Sequence, residues 1–222
     1  MINTKLVFAA AAVLAASAAH AQIGVTADIG TTGVGTHLVI PMEKTLNGRF
    51  GVNFLRYTGD ERAGSAKYDT KTTMRTVDAL FDWYAFNGSP LYLTAGVIYN
   101  GSKITARAVS DNGTFTLNKN VYQELDVGYL TGKVEYHKAA PYLGIGWGNP
   151  LNTKKSWNLS GDLGAIYQGA TNSQLAAIGC RTSAIVCTTL ARDVAAEKPL
   201  FQAGMDTHKV YPVLRVSASY NF

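Results

Sequence analysis

The side chains of this sequence that could take part in chemistry are mainly charged residues that alternate with apolar or small ones. Opposite charges in a dry interior must pair, because an isolated buried charge is costly. Arg215 lies on the last such segment, and we expect its neighbours to be Asp162 on the preceding segment and Asp28 on the first. The pattern predicts an internal salt-bridge network; the alternative is that the same network lines a narrow, gated pore. The side chains predicted to point inward are Asp28, His37, Arg49, Asp78, Asp82, Lys133, Glu135, Asp162 and Arg215.

Two histidines could carry out acid–base chemistry with a nearby carboxylate. His137 is two residues from Glu135 and His208 is two residues from Asp206, so on a strand each pair would share a face. Neither pair lies in a G-x-S-x-G or H-E-x-x-H motif, so we predict no enzyme activity. The glycine-rich "GTTGVG" (30–35) lacks the Lys-Ser or Lys-Thr of a phosphate-binding loop, and we predict no cofactor.

The N-terminus carries the signs of export. Lys5 is followed by the apolar run "LVFAAAAVLAASA", and "AHA" at 19–21 fits a cleavage site before Gln22. We therefore predict a signal peptide over 1–21 and a mature chain of residues 22–222; the alternative is an N-terminal anchor helix. An exported chain meets an oxidising compartment, so Cys180 and Cys187 are expected to form a disulfide. A metal site would need further ligands, and no His or further Cys lies between the two cysteines.

The bulk composition indicates one all-β domain. The formal net charge is +5, but the basic residues are scattered, so nucleic-acid binding is not indicated. No later stretch approaches the about 18 uninterrupted apolar residues of a transmembrane helix. Segments with a period of two recur instead, separated by gaps that alternate short and long. The eight predicted strands are 22–31, 33–42, 49–57, 67–86, 91–106, 129–149, 157–169 and 210–222.

The strand count stays open between eight and ten, because residues 107–128 or the bend near Ala139–Pro141 could hide a further hairpin. In 129–149 the apolar residues change phase near Ala139–Pro141, which favours a bulge at that point. Residues 107–128 could form a small hairpin of their own. The longest gap, 170–207, holds both cysteines and one helix-compatible piece, "LARDVAAE".

Aromatic residues cluster at both ends of the predicted strands. Hydrocarbon cannot satisfy backbone N–H and C=O groups, so strands in lipid must close into a barrel, and aromatic side chains belong at its two interfaces. The alternative is a soluble sandwich or barrel whose apolar faces point inward. The residues near the short turns are Trp83, Tyr84, Phe86, Tyr92, Trp147, Trp157, Tyr220 and Phe222, and those near the long gaps are Tyr57, Tyr68, Tyr99, Tyr129, Tyr167 and Tyr211.

The export signal, the eight alternating strands and the ending "SYNF" resemble small Gram-negative outer-membrane β-barrels, the class of the OmpA membrane domain, OmpW and OmpX. The resemblance implies a single transmembrane antiparallel β-barrel with short periplasmic turns and longer outer loops. It further implies that Tyr220 and Phe222 form the signal that the barrel-assembly machinery reads. Outer-membrane lipid and lipopolysaccharide are the other implied partners, and a monomer is expected.

Three function classes remain at this point. The first is a membrane barrel with a structural, surface-interaction or limited small-solute diffusion role. The second is a lipid-modifying enzyme with a His and carboxylate site at the outer rim, and the third is a soluble exported ligand-binding barrel.

Overall fold

The computed structural model describes residues 23–63, 66–86, 88–110, 112–151, 157–206 and 209–221. The predicted signal peptide and Phe222 lie outside these residues. The elements of the described part are β1 (Gly24–Gly30), β2 (Gly33–Glu43), β3 (Leu46–Ala63), β4 (Ala66–Trp83), β5 (Leu91–Asn100), β6 (Lys103–Val109), β7 (Thr114–Leu117), β8 (Asn120–Gln123), α1 (Glu124–Val127), β9 (Tyr129–Glu135), β10 (Ala139–Trp147), β11 (Trp157–Tyr167), β12 (Asn172–Ile178), α2 (Ala184–Asp206) and β13 (Val210–Asn221).

Eight of these strands form a closed antiparallel ring. Its order is β1, β2, β3, β4, β5, β10, β11 and β13, with β13 pairing back onto β1. The β4–β5 pairing, from Thr76↔Asn100 to Trp83↔Leu93, completes the circle. Closure gives every ring strand a neighbour on both edges, which leaves no open sheet edge within the ring. The prediction of an eight-stranded antiparallel barrel is confirmed.

The wall of the ring continues at one end into a second structure, here called the extension. β6 follows β5 and pairs with the first half of β4, β9 precedes β10, and β12 follows β11. The β7–β8 hairpin and helix α2 cover one face of this sheet and enclose its core. Its buried apolar members are Tyr68, Ala106, Ala108, Phe115, Leu117, Tyr122, Leu130, Val134, Leu190, Val194 and Phe201.

The apolar side of the wall changes between the ring and the extension. On β4, Tyr68 and Met74 of the extension are buried on the inner face, whereas Lys71 is exposed on the outer face. Further along the same strand, Val77 and Phe81 are 52% and 42% exposed on the outer face. The wall is therefore apolar outside in the ring and apolar inside in the extension.

The predicted bulge in 129–149 is wrong, because this change of apolar side accounts for the pattern instead. The segment forms two strands, β9 and β10, and its odd-numbered residues point outward in both, from Lys133 to Leu143. The inward and outward positions keep the same alternation in both strands. What changes is the apolar set, which occupies the inner positions in β9 and the outer positions in β10. The predicted strand 91–106 is likewise divided, at Gly101 and Ser102, into β5 and β6.

The long gaps contain more regular structure than the sequence pattern predicts. Within the polar stretch 58–66, predicted as a loop, residues 58–63 extend β3 and Ala66 begins β4, because strand pairing overrides the weak propensity of these residues. The hairpin within 107–128 is present as β7–β8, where Asn118 and Lys119 take the positive φ of a tight turn. The predicted helical piece lies inside α2. No helix of the described residues is long and apolar enough to cross a membrane.

The aromatic residues follow the predicted girdles with two corrections. Trp83, Trp147 and Trp157 are exposed on the outer wall at the end with the short turns, here called the turn end. Tyr92, predicted in the same girdle, points inward and is 3% exposed. Tyr68, predicted in the other girdle, is buried in the core of the extension. Both errors arise because nearness to a turn does not determine which face of the strand a residue occupies.

Candidate functional site: the interior of the ring

One cluster of charges surrounds Arg49. Its Nη1 and Nη2 donate to Asp162 Oδ2 and Oδ1 at 2.7 and 2.9 Å, and Nη2 also donates to Asp82 Oδ1 at 3.1 Å. Two neutral side chains also donate hydrogen bonds to these carboxylates: Tyr92 Oη donates to Asp162 at 2.9 Å and Thr94 Oγ1 donates to Asp82 at 2.7 Å. Such a two-pronged guanidinium–carboxylate pair is among the stronger polar contacts in proteins. It links β3, β4, β5 and β11 across the interior.

A second cluster surrounds Asp78. His37 hydrogen-bonds Asp28 through Nδ1, and its Nε2 lies 3.0 Å from Asp78 Oδ2. The same oxygen accepts from Asn53 Nδ2 at 2.7 Å and from Arg215 Nη2 at 3.1 Å. The last strand is thereby connected across the interior to β4, and through His37 to β2 and β1.

Glycine on neighbouring strands makes room for these large side chains. Gly51 pairs with His37, and a Cβ placed on it would lie 2.3 Å from the imidazole ring. Gly146 pairs with Tyr92, and its Cβ would lie 2.2 Å from the phenol ring. Real Cβ atoms do not approach so closely, so glycine is required at both positions for the clusters to form.

An apolar layer fills the interior on the extension side of the Arg49 cluster. Ile166 and Val213 of this layer lie on the extension side of Asp162 and Arg215 along β11 and β13, and with Tyr142 of β10 they are nearly inaccessible to solvent. Side chains of this size fill an eight-stranded interior. The complete layer consists of Leu80, Ile98, Ala140, Tyr142, Ile166 and Val213.

Most of the predicted inward charges meet inside the ring, with one exception. Arg215 is the register partner of Asp162 on β11, as expected, and its hydrogen bond goes to Asp78 on β4. Lys133 and Glu135 are the exception, and their predicted place in this network is wrong. They lie on the outer face of β9, form an ion pair at 3.1 Å and are 47% and 39% exposed. The reason is the change of apolar side, which leaves the polar residues of the extension outside.

Sequence reasoning missed the neutral members of both clusters. Tyr92 and Asn53 are as buried as the charges they contact. The alternation of β3 could have indicated Asn53, which follows Arg49 by four residues and therefore lies on the same face. The alternation of 91–106 likewise places Tyr92 on the face opposite Leu91 and Leu93, a signal that nearness to a turn does not give.

The candidate acid–base pairs do not assemble in the described residues. His137 is exposed, and Glu135 contacts Lys133, whose hydrogen bond and charge lower the pKa of that carboxyl. His208 and the side chain of Asp206 lie outside the described part. Cys180 and Cys187 form the predicted disulfide at the start of α2. In the described ranges no group of three or more His, Cys, Asp or Glu side chains is arranged to hold a metal ion.

A closed ring of eight antiparallel strands, apolar outside and filled inside, is the fold of small outer-membrane β-barrels. Two solved structures with this fold are similar to the chain along most of its length. CarO2 of Acinetobacter baumannii is 22% identical, with 90% of this chain and 98% of that chain covered and a TM-score of 0.58. CarO of the same organism is also 22% identical, with 90% and 97% covered and a TM-score of 0.52. No protein-family model matches the chain, and no curated protein matches it in sequence.

Proposed function

We propose that this protein is an integral outer-membrane β-barrel that holds a folded domain, the extension, at the cell surface for interaction with molecules outside. The observation that carries the proposal is the change of apolar side along the wall. Val77, Phe81 and Trp83 expose apolar surface on the outside of β4, where a water-soluble barrel would expose polar side chains. Hydrocarbon is the environment that suits this surface, and a closed ring is the only sheet it tolerates.

The direction of insertion follows from the lengths of the connections. Short turns join the ring strands at the turn end, whereas the extension stands at the opposite end. Outer-membrane barrels have short periplasmic turns and long outer segments. The extension therefore faces the cell exterior, and both chain ends of the ring face the periplasm.

A filled interior favours anchoring over diffusion of solutes. The Arg49 cluster and the apolar layer cross the interior at successive levels, and both consist of buried side chains. An open pore would require the side chains of both levels to move apart. The buried guanidinium–carboxylate pairs oppose this, because a charge that loses its partner remains in a poorly solvated place.

The extension has the construction of a rigid interaction domain. It has its own apolar core, a disulfide, and a hairpin held to α2 by three hydrogen bonds to Asp193. Ordinary connecting loops do not need such support. A preorganised surface lowers the entropic cost of binding, which suits contact with external partners.

Two measurements test the proposal. Cell fractionation should recover the mature protein with the outer membrane, released only by detergent; recovery in the soluble periplasm would refute membrane insertion and support the soluble barrel. Refolded protein in planar bilayers should show no ion conductance above the bare membrane. Steady channels would support solute diffusion over anchoring.

The enzyme alternative has its own test. His137→Ala should leave the lipid composition of the outer membrane unchanged, as measured by mass spectrometry against a strain that lacks the protein. A change that equals the deletion would support a lipid-modifying role at the rim.

A further inference from the structure

The outer face of the extension is polar and rich in cations. Its residues alternate with the buried ones along β3, β4, β6 and β9, and register pairs bring them side by side: Arg56 with Thr73, Thr73 with Lys103, and Thr105 with Lys133. Lys67 and Arg107 lie farther from the ring, at or beyond the level of Asp69, whereas five exposed cations of these strands form one surface on the ring side of that level. The surface, here called the cationic face, consists of Arg56, Lys71, Arg75, Lys103 and Lys133.

The positive charge is concentrated next to the ring. Glu135 is the carboxylate that lies among these cations in the described residues, and it is paired with Lys133. Lys103 and Lys138 also lie close enough to help lower the pKa of Glu135. The next row away from the ring is different, because Asp60 and Asp69 face each other there. The excess of positive charge is therefore a band adjoining the ring rather than a property of the whole extension.

This band continues the apolar outer wall without a break. Arg75 is two residues beyond Val77 on the same face of β4, and Lys71 is four residues beyond Arg75. At a rise of about 3.3 Å per residue, these cations begin about 7 Å from the last apolar position and extend to about 20 Å from it, measured along the strand. Tyr99, the register partner of Val77, marks the same boundary on β5. In the proposed orientation, a side chain in this band points away from the barrel axis, at the level of the headgroups of the surrounding lipid.

We propose that the cationic face binds the phosphorylated headgroups of the glycolipids that surround the barrel in the outer leaflet. The proposal rests on the membrane insertion proposed above. Three features of the cationic face favour a phosphorylated lipid as its ligand: its charge complements phosphate, its position matches the headgroup layer, and it continues a wall that is itself proposed to face lipid. Lysine and arginine are the side chains that bind phosphate oxygens by charge-assisted hydrogen bonds.

The opposite side of the extension provides a matched comparison. Lys119, Arg192 and Lys198 are exposed cations on the hairpin and on α2, away from the cationic face. Three neutral substitutions there change the net charge of the protein as much as three on the cationic face. Any difference between the two sets therefore reports position rather than total charge.

The test compares the variant K71Q/R75Q/K103Q with the control K119Q/R192Q/K198Q, both in the full mature chain. Native mass spectrometry of protein in nonionic detergent measures the binding of diphosphorylated lipid A, and of dephosphorylated lipid A with the same acyl chains. Each cation near an anionic surface contributes about fivefold, so the variant should bind the phosphorylated lipid on the order of a hundredfold more weakly. The control and the unsubstituted protein should bind alike.

Three results would overturn the proposal: equal binding by variant and control, equal binding of the dephosphorylated lipid, or displacement of the lipid by a modest excess of inorganic phosphate. The last would indicate a site for free phosphate. Fractionation of cells that express each variant separates this question from the proposed function. Loss of lipid A binding with normal outer-membrane recovery concerns the cationic face alone, whereas soluble recovery of the unsubstituted protein would refute the membrane barrel itself.

Discussion

Arg49 is the residue whose removal should affect the ring most. Arg49→Met keeps much of the side-chain volume but removes three hydrogen bonds to Asp82 and Asp162. At about 1.5–3 kcal/mol for each bond to a charged group, the simple sum would be too large, because Thr94 and Tyr92 continue to donate to the two carboxylates. The cost of breaking a buried ion pair by removing one partner is about 3–5 kcal/mol, and we expect a loss of unfolding free energy in that range.

Urea unfolding of the refolded barrel, followed by tryptophan fluorescence, measures this loss. Arg107→Met is the matched control, because Arg107 is exposed and lies 4.2 Å from the centre of the Tyr129 ring. An exposed cation–π contact contributes about 0.5–1 kcal/mol, so the control should lose no more than that. Adding Asp162→Asn to Arg49→Met should restore part of the stability by removing one unpaired charge. Equal effects of Arg49→Met and Arg107→Met would refute the account of the interior given above.

The remaining predictions concern the extension and the last strand. Tyr122 and two asparagine side chains hydrogen-bond Asp193 and lower its pKa. These hydrogen bonds therefore stabilise the extension fully above the unfolded pKa of about 4, and the stabilisation is lost as pH falls through the folded pKa. Hydrogen exchange should show the β7–β8 hairpin loosening in acid, and Asp193→Ala should remove this pH dependence. Cys180 and Cys187 should resist thiol labelling until reduced, and reduction should cost the extension about 2–3 kcal/mol without lowering the unfolding midpoint of the ring. Phe222→Ala should lower outer-membrane levels, measured by immunoblot, while the purified variant refolds normally. Arg215→Ala should do the opposite, with normal delivery and a loss of about 3 kcal/mol, and equal defects of both variants in both assays would contradict the separate roles.

The ring was predictable from the sequence because the apolar residues of its outer wall recur with a period of two. Val210, Leu214 and Val216 alternate with Val213, Arg215 and Ser217, and this alternation alone identifies a strand with two different faces. The same alternation predicts that Asp28, Asp78, Asp82 and Asp162 point into the interior. Their actual partners were not predictable, because register and strand tilt decide which charges meet across the interior.

The extension was less predictable for a physical reason. Alternation reports which side of a strand is apolar, but not whether that side contacts lipid or a helix. Leu130 and Val134 pack under α2, whereas Leu143 and Ile145 belong to the outer wall. In the sequence, these two situations produce the same pattern shifted by one residue, which is also the pattern of a bulge. Only a long-range element such as α2 distinguishes them.

The position of this shift is itself informative about the membrane. On β4 it falls between Met74 and Val77, and on the β9–β10 segment between Val134 and Leu143. The register connects the two through β6, because Thr73 pairs with Lys103, and Lys103 with Glu135. A soluble barrel has one apolar side along its whole length, since water surrounds it everywhere. In the membrane orientation proposed here, the apolar outer wall of the ring meets hydrocarbon and the polar outer face of the extension meets water, so the shared level at which the strands exchange sides lies at the membrane surface.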